Sequence, residues 1–237
     1  MRSINRDAKI KCAIALFGMA VLLASIFLLV EREPSYSGRS LNSWLQQCSD
    51  TPQMETQQLA EAHGAIEKIG ANRALPHLLK LIKTKDTPVR VWLVSKTERF
   101  NSRRFHWYSA AELREWGIAG FEVLGTNCAA AVGELRLLLA DKELAFDSAR
   151  CLEPIGKPAE AALCECLTNQ NWQVRNLSVS ALAGVTDDVE VYLDRIKDRL
   201  KDVEPAVRFS AVQAIGARDT AQSRRPLKNS TLFFQKR

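Results

Sequence analysis

The sequence predicts an all-α chain, a right-handed α-solenoid of about four to five helical hairpins preceded by one transmembrane helix. Three observations carry that expectation. Amphipathic stretches closed by glycine recur along the body, each followed by a second amphipathic stretch, and a run near the N-terminus carries no charge. Strand signals are nearly missing, with no sustained period-two run and no Asn-Gly hairpin.

The uncharged run is "CAIALFGMAVLLASIFLLV", residues 12–30. At about 1.5 Å per residue it nearly matches a hydrocarbon core of roughly 30 Å. Arg2, Arg6, Lys9 and Lys11 precede it and Glu31, Arg32 and Glu33 follow it, so the positive-inside rule places residues 1–11 in the cytoplasm and the body outside. The expected protein is thus a single-pass protein of the inner, cytoplasmic membrane. The alternative is a cleaved signal peptide and a secreted or periplasmic body, with Ser35-Tyr36-Ser37 as the nearest small-x-small pattern.

Charge excludes one class of partner. The formal net charge of +6 resolves into +3 over residues 1–11, +5 over residues 218–237 and −2 over the body between them. A groove tracking a phosphate backbone needs its cations on the folded body, so nucleic acid is not the expected partner. Outside the apolar run stand Cys48, Cys128, Cys151, Cys164 and Cys166, in no metal-ligand spacing. Cys164 and Cys166 point about 200° apart on a helix, which suits neither zinc nor a mutual disulfide.

In the body, "AIEKIG" ends at Gly70, "FEVLG" at Gly125, "CLEPIG" at Gly156, "SALAG" at Gly184 and "AVQAIG" at Gly216. Leu59, Ala62, Ile66 and Ile69 form one apolar stripe, and Ala145, Ala149, Leu152 and Ile155 another. A glycine just past such a stripe predicts a left-handed C-cap. The second stretches are residues 74–83, 128–140, 159–167 and 189–200. Pro76 and Pro158 stand near the start of theirs, and Asp187 with Glu190 forms a capping-box pattern for the last. Before them, "PSYSGRSLNSWLQQ" (34–47) predicts a turn at Gly38, an N-cap at Ser40, and a helix with Leu41, Trp44, Leu45 and Cys48 on one face. Residues 31–54 therefore form a linker and an N-terminal cap helix, ahead of a repeat body over residues 55–217.

"DTPVR" (86–90), "NWQVR" (171–175) and "EPAVR" (204–208) resemble the junctions of HEAT repeats, in which an Asp or Asn lies in the turn and Val-Arg in the first turn of the next helix. With the glycine endings, the likeness covers residues 55–217. It implies that Asp86, Asn171 and Glu204, with Arg90, Arg175 and Arg208, form stacking ladders between repeats. The sequence departs from the pattern twice. "KELAFD" lacks Val-Arg, and Val89-Arg90 leads into an insertion, residues 91–108, instead of the next helix. The order of anchor, Tyr-x-Gly-x-x-Leu-x-x-Trp-Leu and repeats is similar to bacterial membrane-anchored HEAT-repeat proteins. After Gly216 the chain lacks a second helix; residues 218–237 are expected to be a basic, disordered tail, or to fold back with Leu232, Phe233 and Phe234 as cover.

No nucleophile elbow, phosphate loop, dinucleotide fingerprint or zinc-protease motif is present, so no catalytic, metal or cofactor residue is assigned. His63, His77 and His106 make no metal set, and Asp187-Asp188 is a helix start rather than an acid pair. Three functional classes follow. The first, which the sequence favours, is a non-enzymatic, membrane-anchored scaffold that binds another protein. The others are a HEAT-like enzyme, akin to bilin lyases or alkyl-base glycosylases, and a purely structural cell-envelope protein. The one candidate partner-binding stretch is the insertion, through Arg99, Arg103, Arg104, Phe105, His106 and Trp107. At its end Ser109 and Glu112 form a capping box that starts a helix at Ala110, with Tyr108 and Leu113 placed as a hydrophobic staple.

Overall fold

The computed structural model describes residues 33–49, 56–100, 107–185 and 190–223. The chain divides into two units, Met1–Pro34 and Ser35–Arg237. The expected anchor at 12–30, its orientation, Asp187 and the tail from residue 224 lie outside the described residues. Among the described residues no helix is long and apolar enough to cross a membrane.

Among the described residues, the regular structure of the second unit is helical apart from one small hairpin. β1 (Ser35–Tyr36) pairs antiparallel with β2 (Arg39–Ser40), and Ser37 and Gly38 turn between them at positive φ. Helix α1 (Leu41–Ser49) follows directly, with the Ser40 hydroxyl accepting from Ser43 N at 3.3 Å, the expected N-cap. Its apolar face, Leu41, Trp44, Leu45 and Cys48, is buried. The hairpin is locked to that face, because Trp44 Nε1 donates to Tyr36 O and the Arg39 guanidinium lies 3.8 Å from the Trp44 ring centroid.

Then come α2 (Thr56–Ile69), α3 (Ala71–Ile82), α4 (Pro88–Phe100), α5 (Ala110–Leu124), α6 (Val132–Leu138), α7 (Ala145–Ile155), α8 (Glu160–Cys166), α9 (Trp172–Val185), α10 (Glu190–Asp198) and α11 (Pro205–Ser223). Short 3₁₀ turns at Gly125–Ala131, Lys157–Ala159 and Arg199–Lys201 join or finish them. α5, α7, α9 and α11 each pack on the next of that series, while α3, α6, α8 and α10 pack on the member that follows them in the chain. α1 packs on α2 and α5, so the first apolar face is covered as expected.

The predicted stripes are the core. Ala62, Ile66 and Ile69 of α2 and Ala145, Ala149, Leu152 and Ile155 of α7 are all buried. α5 packs most extensively on α3, and two glycines make that approach feasible. A Cβ at Gly120 would collide with Leu78 Cδ2 and lie 3.0 Å from Leu45 Cδ2, and one at Gly117 would lie 2.8 Å from Ile82 Cδ1.

Three expectations need correction. Gly70, Gly125 and Gly156 do end helices at positive φ, but with ψ of 151°, −128° and −133°, near a region open essentially to glycine alone, instead of the left-handed helical well. Gly184 and Gly216 end nothing, because α9 runs on to Val185 and α11 to Ser223. Pro76 sits inside α3, which starts at Ala71, not in its first turn. Residues 91–100 of the insertion belong to helix α4, which Val89-Arg90 opens and whose N-terminus is capped by Thr87 Oγ1 accepting from Arg90 N at 3.2 Å.

Gly120→Ala is expected to lower stability by about 1–3 kcal/mol through overpacking, whereas Gly133→Ala, whose Cβ would meet open space, is expected to be neutral or slightly stabilising. Urea denaturation of the two variants beside the parent distinguishes them.

Candidate functional site

The turns that lead into α5, α7, α9 and α11 are closed by one recurring device. Asp141, Asn169 and Asp202 each accept, through Oδ1, the backbone N–H two residues on, from Glu143 (3.0 Å), Asn171 (2.9 Å) and Glu204 (3.0 Å). Such an Asx turn satisfies a donor at a helix start that no backbone carbonyl reaches. Asp86 does the same for Ala110 N at 2.9 Å, twenty-four residues on instead of two. Closing Asp86 directly onto Ala110 loops the intervening segment out of the repeat.

Six residues beyond Asn169 and Asp202 stand Arg175 and Arg208. Arg175 Nη1 donates to Asn169 O (2.8 Å) and Gln170 O (3.1 Å), and Arg208 Nη1 to Asp202 O (2.8 Å) and Val203 O (3.0 Å). Arg175 also reaches the next turn, where Nε and Nη2 donate to the two carboxylate oxygens of Asp202 at 2.8 and 2.7 Å. Both partners are buried. The guanidinium beside it holds the Asp202 carboxyl below the usual carboxylate range, against the opposing effect of burial.

The ladder therefore differs from the one implied by the resemblance. Arg175 reaches the turn before α11, Arg208 bonds only to the turn before its own helix, and Asn171 accepts from Gln173 N. The acid that closes the turn is Asp202, two residues before Glu204, whose backbone N–H it accepts. Asp86 is a ladder residue, but Arg90 is not. Val89 is 67% exposed, where Val174 and Val207 are fully buried, and Arg90 Nη1 donates to Tyr108 O at 3.1 Å, tying the two ends of the insertion together. The ladder arginine of that repeat is Arg114, whose Nη1 donates to Thr84 O at 2.8 Å. Its signal was present as "AAELR" (110–114), with Leu113 where the other two motifs carry valine. The next repeat inverts the charge. Asp147 of "KELAFD" stands where arginine would, and Arg114 Nε donates to it at 2.6 Å.

Outside the ladder, α4 is one element whose apolar exposure packing does not explain. Leu93 and Val94 are half-buried, while Val89, Val91 and Trp92 (57%) are exposed, and Lys96 Nζ lies 5.7 Å from the Trp92 ring centroid. Of the six candidate partner-binding residues, Arg103, Arg104, Phe105 and His106 lie outside the described residues. Arg99 falls in the last turn of α4, and Trp107 is 49% exposed. The insertion ends as expected at a capping box, with Glu112 N donating to Ser109 Oγ and Ser109 N to Glu112 Oε2. Tyr108 and Leu113 are both partly buried against the core, and the ring that Tyr108 meets is Trp116, edge-on at 4.5 Å.

His77 Nε2 hydrogen-bonds Asn42 Oδ1 at 2.8 Å and His63 is exposed on α2, so the two are not brought together as ligands. Among the described residues no three His, Cys, Asp or Glu side chains are grouped to hold a metal ion. Cys48, Cys128, Cys151, Cys164 and Cys166 are buried thiols. Burial pushes the Cys48, Cys128 and Cys166 thiols up to about 11 and raises Cys151 as well. Those four are packing residues, protonated at neutral pH. No family model matches the chain, and no curated protein matches it.

Two outcomes follow. Iodoacetamide at pH 8 is expected to alkylate these five thiols only after denaturant is added; rapid labelling of any of them in the native protein would contradict the assignment. For Asp202 the folded-state carboxyl titrates below its unfolded value of about 4, so its ion pair contributes stability above that value and loses it as pH falls through the lowered one. Urea titrations between pH 2 and 6 should show the parent losing more stability on acidification than Asp202→Asn.

Proposed function

We propose that this protein is a membrane-anchored, non-enzymatic HEAT-repeat solenoid that binds another protein, with α4 as its docking element. The observation that carries the reading is the uncovered apolar surface of Val89, Val91 and Trp92 on a helix looped out of the repeat. Insertions in stacked-hairpin proteins emerge on one face and often bind. A tryptophan beside two valines is the kind of cluster that supplies an interface hot spot. The ladder supports the HEAT part of the reading, since turn Asx residues and first-turn arginines recur at one spacing. Residues 12–30, uncharged for the length of a bilayer core, support the anchor.

The test is site-specific crosslinking of the full chain in its native membrane, followed by pull-down. Trp92→Ala with Val91→Ser is expected to lose the captured protein, and Arg103→Ala with Arg104→Ala to weaken its capture. Leu137→Ala, an exposed apolar residue on α6, is expected to retain it. A folded Trp92 variant with undiminished capture would remove α4 from the account. Protease added to spheroplasts should digest the body without lysis; resistance until lysis would reverse the topology.

A further inference from the structure

The ladder provides a register for comparing the helices of the stack residue by residue. Arg114, Asp147, Arg175 and Arg208 are equivalent, so one turn further on Ile118, Cys151, Val179 and Val212 are equivalent too. Ile118, Cys151 and Val179 are buried, each on a helix covered by the next in the series, whereas Val212 is 56% exposed. The position just after the ladder residue looks across the same joint. There Glu115 accepts from Arg150 of α7, and Asn176 accepts from Ser210 of α11. In α11 that position is Phe209, an apolar ring that is 63% exposed. Pro205, Phe209, Val212 and Gly216 are all exposed and recur at i, i+4, i+7 and i+11, one uncharged stripe along the helix. Val203, on the turn before α11, is exposed as well.

We propose that this stripe is covered by the same stripe of a second copy, in a two-fold dimer that joins two stacks through their α11 helices. The other end of the series favours a copy related by a two-fold axis over head-to-tail stacking. There α1 already buries Leu41, Trp44 and Leu45 against α2 and α5, so that end offers α11 no open apolar face. A face that pairs with itself closes at two copies. Charge favours it too. The joint between α5 and α7 carries the Glu115–Arg150 ion pair, but the stripe on α11 carries no charge, so two copies meet without opposing like charges. An antiparallel crossing sets Phe209 against the partner's Val212 twice over, and Pro205 against the partner's Gly216, bulky beside small. With Val203 and Gln213 at its edges, the stripe offers roughly 500 Å² a copy, so the contact buries on the order of 1,000 Å² in total, the size of a concentration-dependent dimer and not an obligate one. The proposal does not depend on the identity of any protein bound at α4.

The experiment is sedimentation velocity of the full chain in detergent across a range of protein concentration. A monomer–dimer equilibrium with no larger species is expected. Phe209→Asp and Val212→Asp should each shift it several-fold toward monomer, with circular dichroism and the unfolding midpoint unchanged. If either Asp variant unfolds, Phe209→Ser or Val212→Ser takes its place. Trp92→Ala should leave the equilibrium as it is, because α11 against α4 would build open chains of copies instead. In a mixture of isotope-labelled and unlabelled chains, p-benzoylphenylalanine in place of Gln213 should crosslink to the tryptic peptide of residues 209–218 of a second chain. Monomer at every concentration, species beyond the dimer, or a crosslink outside α11 would overturn the proposal. So would a dimer that is indifferent to the substitutions at 209 and 212, or lost with Trp92→Ala.

Discussion

The ion pair between Arg175 and Asp202 is the contact on which the order of the second half depends. Two charges taken out of water lose several kcal/mol of hydration each, and the loss is offset only where geometry and extra hydrogen bonds are good. Here the guanidinium gives both Nε and Nη2 to one carboxylate and its third nitrogen to two carbonyls of the preceding turn, while the carboxylate also accepts Glu204 N–H. The pair joins the start of α9 to the turn before α11, so it fixes the register of one repeat on the next. Lysine could not replace the arginine, because a single ammonium cannot bridge a carboxylate side-on and reach two carbonyls behind it.

The same device explains how the insertion is tolerated. With Asp86 bonded to Ala110 N and Arg114 reaching Thr84 O, the repeat closes across the base of the loop as though the loop were missing. Arg90 then seals the base from the other side through Tyr108 O. The packing of α5 on α1, α3 and α7 thus places no demand on the outer surface of α4. That surface is free to carry Val89, Val91 and Trp92, which would be a liability without a partner.

Much of this was legible in the sequence. Apolar spacing located the stripes of α2 and α7, and Ser40 and Ser109 announced their helices, because these signals are local and each has one physical solution. The ladder was legible only in part. Its turn acid was read at Glu204, two residues beyond Asp202, since both are acids and only the hydrogen bond to the next N–H separates them. Arg114 was missed because the loop separates it from Asp86 and because leucine replaces the valine before it. Asp147 was missed because an inverted charge is invisible to a motif that expects arginine; it makes sense only beside Arg114, a partner thirty-three residues away. Gly184 and Gly216 misled for a related reason. A glycine after an apolar stripe can end a helix, but whether it does depends on the chain that follows.

The central claim is that the turn acid of one repeat and the first-turn arginine of its neighbour act as a unit. A double-mutant cycle with Arg175→Ala, Asp202→Ala and the pair, read by urea unfolding near neutral pH, tests it most directly. The account predicts that each single change costs about 3 kcal/mol, by leaving a buried charge unpaired, and that the pair costs less than their sum by about 2 kcal/mol. Additivity within about 0.5 kcal/mol would show two residues acting independently and contradict it.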